Sequence, residues 1–193
     1  MKDQADATER RNGGAIAGDV QVLVRPPDQP ATEGSRGVAV GRKFAPHSAD
    51  VEAGRLRLFC KATGETRPEY FDAAAARAAG HPSLPAPPTY AACLYLDEPK
   101  PFSWLRELGI DLARVLHATQ GFRYFAPIYA GDRLTFASRI TNVFEKKSGT
   151  LTFIVKLTDV DNQRGVRVAE LRSTIVVRGP HIGSVRGRKL EEH

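Results

Sequence analysis

The sequence predicts an α+β domain, a single antiparallel sheet packed on helices. Three observations carry this. Between Gln120 and Arg178, four segments alternate apolar and polar residues with the period of strands. Polar turn segments, Lys146-Lys147-Ser148-Gly149 and Asp161-Asn162-Gln163-Arg164-Gly165, fall between them. Ahead of the strands lie stretches of helical character, one of them apolar almost throughout. Strands gathered after helices suit one sheet with helices laid against it.

Order is expected to begin near Val40, and Gly41 to Pro46 reads as a short strand. In VEAGRLRLFCKATGE, Leu56, Phe59, Cys60 and Thr63 follow helical spacing while Arg55, Arg57 and Lys61 fill the other face, with Gly64 as C-terminal cap. A short alanine-rich helix follows from about Asp72 to Ala79, stopped by Gly80-His81-Pro82. Pro85-Ala86-Pro87-Pro88 is a stiff connector, and prolines suit the first turn of a helix. That helix runs from Thr89 to about Leu96. Because YAACLYL is apolar on every side, it belongs in the interior, wrapped by something. Residues 102–116 make an amphipathic connection. In the strands, Phe122 and Tyr124 share a face, as do Leu134, Phe136 and Ile140. Leu151, Phe153, Val155 and Leu157 form the next set, and Leu171, Ile175 and Val177 the last. Strands joined by such turns predict an antiparallel meander. A sheet curling around a buried helix is one arrangement that satisfies these faces.

The 193 residues suit one domain with tails. The expected division is a disordered basic arm over 1–38, a folded domain over 39–178 and a flexible basic tail over 179–193. Only the run Val20–Val24 interrupts the polar arm, as an edge strand or docking segment. The net charge of +6 lies partly in these tails (Arg10, Arg11, Arg25 and Arg36; Arg186, Arg188 and Lys189). No nucleic-acid-binding motif accompanies it, so a solvated charge excess is expected, with attraction to acidic partners as the functional alternative. There is no run long enough to span a membrane and no secretory h-region, which predicts a cytoplasmic protein. Cys60 and Cys93 sit in apolar stretches and are expected to be buried free thiols, with neither a disulfide nor a zinc site. No P-loop, G-x-G-x-x-G or G-x-S-x-G motif occurs, so no cofactor and no serine nucleophile are expected.

Four segments read together, VEAGRLRLFCKATGETRPEYFD, LPAPPTYAACL, LHATQGFRYFAPIYAGDRLTFASRI and AELRSTIVVR, resemble the MaoC-like dehydratase N-terminal domain, also called the fatty-acid-synthase-like dehydratase domain. The resemblance runs from about Gly41 to Arg178. It implies a hot-dog fold, in which a curved antiparallel sheet wraps a long central helix. It implies dimers whose sheets continue across the interface, and acyl groups bound as thioesters of coenzyme A or acyl carrier protein.

In the family, a loop reading Asp-x-Asn-Pro-x-His supplies the two groups that move protons during hydration of an enoyl thioester. The resemblance places Glu65 on the Asp, Arg67 on the Asn, Pro68 on the Pro and Tyr70 on the His. A tyrosine is a poor base at neutral pH. This is the pattern of the degenerate half of two-part dehydratases, which shapes the acyl channel while an intact hot-dog chain does the chemistry. The implied role is therefore a non-catalytic subunit of a (3R)-hydroxyacyl thioester dehydratase, or enoyl hydratase. The alternatives are a stand-alone short-chain acyl-CoA hydratase acting as a homodimer, and an acyl-CoA binding or thioesterase-like protein.

Glu65 is a solvated carboxylate or a residual acid. Tyr70 covers the vestigial pocket or packs beside Phe71. His117 is a structural histidine, or the natural base if one exists here. Related sequences carry LHGEQ and YHRP where this chain has LHATQ and YFAP, which removes polar groups from the site. Pro88, Thr89 and Tyr90 open the central helix, whose start points at the thioester carbonyl in the family; Pro87 and Pro88 have no N–H, so donors begin at Thr89. A Thr89 hydroxyl cap is the simpler alternative. Tyr124, in the strand from Gln120 to Ala126, completes the expected acyl-binding set. Phe102 and Trp104 pack, or form a lid. His47, His81 and His181 look incidental.

Overall fold

Five strands and four short helices build the domain in the computed structural model, which describes residues 40–179. The expected arm, with its Val20–Val24 run, and the tail beyond Gly179 lie outside the described residues. In chain order the elements are β1 (His47–Asp50), α1 (Ala53–Ala62), a 3₁₀ turn (Pro68–Tyr70), α2 (Ala73–Ala78), α3 (Tyr90–Tyr95), α4 (Ser103–Glu107), a second 3₁₀ turn (Leu112–Arg114), β2 (Val115–Tyr124), β3 (Arg133–Lys146), β4 (Leu151–Asn162) and β5 (Arg167–Arg178).

Local chemistry places the helix ends. Gly64 takes φ +76° just past α1, a left-handed conformation that costs a glycine nothing. The Asp72 carboxylate caps α2 by accepting from Ala75 N–H at 2.8 Å. Pro99 follows α3 closely and disfavours helical geometry in the residue before it. The helix facing the sheet is thus six residues, not the long one that the resemblance implies. Nor is it buried all round. Tyr90, Ala91 and Leu94 are buried, while Cys93 is exposed on its outer face. The expectation of two buried thiols therefore holds for Cys60 alone. The short side chain of Cys93 points away from the core that its neighbours fill.

The sheet order is β1-β3-β4-β5-β2, antiparallel throughout the named pairs. The meander covers β3, β4 and β5 only. β2 does not sit beside β3 as sequence order suggests; it pairs with β5 on the far edge. The strand expected at Gly41–Pro46 lies a few residues later, at His47–Asp50. Residues 41–44 run along β3 without forming a regular strand: Gly41 N–H donates to Ile140 and Ile140 N–H to Arg42 at 2.9 Å, Phe44 N–H donates to Ser138 at 3.0 Å, and Lys43 bridges to Arg139.

The inner face of the sheet packs on the helices in two clusters. Leu56 of α1 and Leu94 of α3 meet Leu134, Phe136, Val160 and Leu171. Trp104 and Leu105 of α4 meet Ile140, Ile154, Ile175 and Val177. Burying each such side chain stabilises by about 1.5–3 kcal/mol. Register puts Ser138, Thr158, Leu171 and Phe122 in one row across four strands, and Ile140, Lys156, Ser173 and Gln120 in the next. The buried face of β4 therefore carries Thr152, Ile154, Lys156, Thr158 and Val160. The set predicted there, Leu151, Phe153, Val155 and Leu157, is on the opposite face. Phe153 stacks on Phe144 on that side at 4.8 Å, which is why both faces of this strand read as apolar.

Candidate functional site

The loop after α1 holds a closed polar array. Glu65 accepts hydrogen bonds from the backbone N–H of Thr66 and Arg67, both at 3.0 Å. It accepts two more from the Arg67 guanidinium, at 3.0 and 2.7 Å. Three of these four donors meet at Oε1 and one reaches Oε2. Those hydrogen bonds from Arg67 hold Glu65 down at a pKa of about 2. Arg67 also donates to the Tyr70 hydroxyl at 3.2 Å and lies over its ring at 4.7 Å. Burial pushes the Tyr70 phenol up, against the pull of Arg67. At neutral pH the loop therefore carries a fixed carboxylate and a protonated phenol. Neither suits proton transfer near pH 7, where an effective group needs a pKa close to the operating pH.

The start of α3 is tied down differently. The Tyr124 hydroxyl donates to the Pro88 carbonyl, and burial pushes that phenol up. Thr89 makes no side-chain cap. Tyr90 N–H donates to Pro87 at 3.0 Å and Ala92 N–H to Thr89 at 3.2 Å, so two of the early donors are already used. Tyr90 is buried, its ring edge-on to Phe59 at 5.3 Å, and its hydroxyl lacks a partner among the described residues.

A cavity of about 310 Å³ opens elsewhere, between α3, α4 and the inner face of β2, β4 and β5. Leu96, Phe102, Leu105, Leu112, Val115 and Ile175 give it apolar walls, and His117, Gln120, Lys156, Thr158 and Ser173 give it polar points. Of the residues singled out in the sequence, His117 lines it, as do the lid candidates Phe102 and Trp104. Glu65, Tyr70, Pro88, Thr89, Tyr90 and Tyr124 do not. Trp104 is buried, whereas Phe102 is half-exposed at the mouth.

Lys156 is the feature that sequence reasoning missed. It is 5% exposed, and burial brings its ammonium down to a pKa of about 8. It donates to the Tyr95 hydroxyl and lies 4.3 Å from the Tyr95 ring centroid and 4.5 Å from that of Trp104. Ser138 and Thr158 share a hydrogen bond of 2.8 Å on the neighbouring row. His47 is not incidental either. It sits on β1, stacked on Phe136 at 5.0 Å and edge-on to Tyr95 at 5.3 Å, with Nδ1 3.9 Å from Glu98. Burial lowers its pKa, with Glu98 opposing.

Residues 38–171 match the family described as FAS1-like, dehydratase domain region. The chain belongs to this family. Its relatives include a UPF0336 protein of Streptomyces griseus, 38% identical over 141 residues that span 72% of this chain and 92% of that protein. One from Saccharopolyspora erythraea is 33% identical over 141 residues, 72% of this chain and 89% of that protein. Among solved structures, the truncated HadBC (3R-hydroxyacyl-ACP dehydratase) complex of Mycobacterium tuberculosis superposes with a TM-score of 0.60 at 22% identity, over 72% of this chain and 98% of that one. The ChsH1–ChsH2 complex of the same organism gives 0.59 at 23% identity, over 72% and 89%. The (R)-hydratase of A. caviae gives 0.55 at 16%, over 73% and 98%. The fold is that of the MaoC-like hot-dog dehydratases.

Within this FAS1-like dehydratase domain, one sequence signal pointed to the missed residue. A lone Lys interrupts the strand LTFIVKLT in phase with Thr152, Ile154 and Thr158. No helix among the described residues is long and apolar enough to cross a membrane. Nor do the described residues hold a cluster of three or more His, Cys, Asp or Glu arranged for a metal.

Proposed function

We propose that this chain is the acyl-channel half of a two-part (3R)-hydroxyacyl thioester dehydratase, working with a second hot-dog chain that carries an intact Asp and His. The observation that carries this reading is the closed Glu65–Arg67–Tyr70 array. Hydration of an enoyl thioester needs one group to take a proton from water and another to deliver one to the α carbon. With Glu65 fixed as a carboxylate by four donors and Tyr70 protonated, the loop supplies neither, and the partner must. This chain would contribute the cavity between α3, α4 and the sheet, which holds the acyl group of a coenzyme A or carrier-protein thioester. That some hot-dog relatives in fold are named as two-component complexes supports the pairing.

A second reading, a stand-alone hydratase acting as a homodimer, gains from His117 and Lys156 in the cavity. One assay separates them. The purified chain alone is expected to hydrate crotonyl-CoA barely above background, because losing one essential proton-transfer group removes about 10²–10⁴ in rate. Co-expression with an intact-dyad hot-dog chain is expected to restore turnover. High turnover by the chain alone would overturn the subunit reading, and Glu65→Gln and His117→Ala would then locate the acting group.

A further inference from the structure

Lys156 is a cation in an unusual place. It stands on the inner row of β4, at the floor of the cavity, in register with Ile140 and Ser173. An ammonium has three N–H donors. One goes to the Tyr95 hydroxyl. The faces of Tyr95 and Trp104 offset part of the burial, as cation–π contacts do. Among the described residues no carboxylate lies within ion-pair distance of it. Glu98 acts on it only from further off. A buried charge without a counter-charge is unfavourable, and it is relieved when a ligand supplies one. With a pKa near 8, the group is still mostly charged at neutral pH.

The rest of the cavity sets the shape of that ligand. Its volume of about 310 Å³ suits a small molecule, at the low end of the ~300–1,000 Å³ usual for such sites. Leu96, Phe102 and Leu112 stand at the mouth, each about half exposed, and Lys156 lies beneath them. Gln120, Thr158 and Ser173 add hydrogen-bonding groups near the ammonium and no further charge. A guest therefore meets apolar walls first and a cation last.

We propose that this cavity receives an aliphatic chain that ends in a carboxylate, with the carboxylate seated on Lys156. The carboxylate is that of a free fatty acid, or the far end of a thioester-bound dicarboxylic chain. The inference deepens the acyl-channel reading and rests on it.

The test titrates the full chain by calorimetry with two pairs of probes, octanoate against 1-octanol and suberyl-CoA against octanoyl-CoA. The charged member of at least one pair is expected to bind about tenfold tighter or better, as for a hydrogen bond to a charged group, and the pair that discriminates identifies the source. Lys156→Met is expected to abolish that preference while 1-octanol binds within about twofold of the native chain. Equal binding within both pairs, or an unchanged preference in the variant, overturns the carboxylate assignment and leaves the acyl-channel reading standing. Binding of none of the four overturns both. The native-chain comparisons decide the matter even if the variant does not fold.

Discussion

Glu65 and Lys156 are both shifted far from their ordinary pKa, Glu65 by hydrogen bonds from Arg67 and Lys156 by burial. Glu65 is an acid with its pKa depressed to about 2 by Arg67, so it contributes stability at neutral pH that is lost as pH falls from the normal carboxylate range through 2. Arg67→Ala is expected to return it toward the ordinary carboxylate range, seen by carbon-13 NMR of the carboxyl, without conferring hydratase activity. A pKa that stays near 2 would mean that the backbone N–H groups suffice. Lys156 is a base with its pKa lowered to about 8, so the folded state binds fewer protons than the unfolded chain between pH 8 and 10.5. Stability relative to Lys156→Met should therefore rise with pH through that window, by up to about 3 kcal/mol. Urea melts of both proteins at pH 7 and pH 10 measure it, and a flat difference would place the lysine in water. The Glu65 loop could be read from sequence because its four positions fall within one short stretch. For Lys156 the sequence offered only a lone Lys in an apolar strand, because its partners Tyr95 and Trp104 lie some fifty to sixty positions away and only the fold brings them together.

The ends of α1, α2 and α3 were legible to within about a residue because each is set by neighbours in the chain: Gly64, Asp72 and the proline-rich segments around α3. The face of β4 was not. A strand with Phe153 and Leu157 on one side and Ile154 and Val160 on the other offers alternation in both phases, and only tertiary packing chooses between them. The turn from β3 to β4 was foreseen but its strain was not. Lys147 and Ser148 both take the left-handed conformation, at φ 51° and 53°. That conformation costs a side-chain-bearing residue about 1–2 kcal/mol, and glycine recovers part of it against its own entropy loss. Ser148→Gly should therefore stabilise the hairpin, by up to about 1 kcal/mol in thermal unfolding. Destabilisation would show that the hydroxyl is needed there.

At the scale of the molecule, the strand order could not be read from the sequence because β2 passes its chain neighbour β3 and crosses to β5. That crossing has a consequence for assembly. β2 ends the sheet as a ten-residue strand, and on its outer side it has no pairing strand among the described residues. A long open edge invites another strand unless something covers it. Leu116, on this edge, is about half exposed, and His117, on the same edge, lines the cavity. A second hot-dog chain joined edge to edge at β2 would cover Leu116, continue the sheet and bring its own catalytic loop toward the cavity. Self-pairing would cover the same edge but would bring together two Glu65–Arg67–Tyr70 arrays, neither of which supplies a base. A heterodimer, or a dimer of heterodimers, is expected when an intact-dyad hot-dog chain is co-expressed, with the homodimer as the fallback without it. Such an interface should bury over about 1,200 Å² in total. Light scattering on each protein alone and on the co-expressed pair reads the masses directly. Leu116→Lys, which places a charge on the edge without touching the core, should weaken the assembly and leave the fold intact by circular dichroism. A native chain that remains monomeric in the presence of the partner, or a Leu116→Lys variant that assembles as the native chain does, would exclude β2 as the joint.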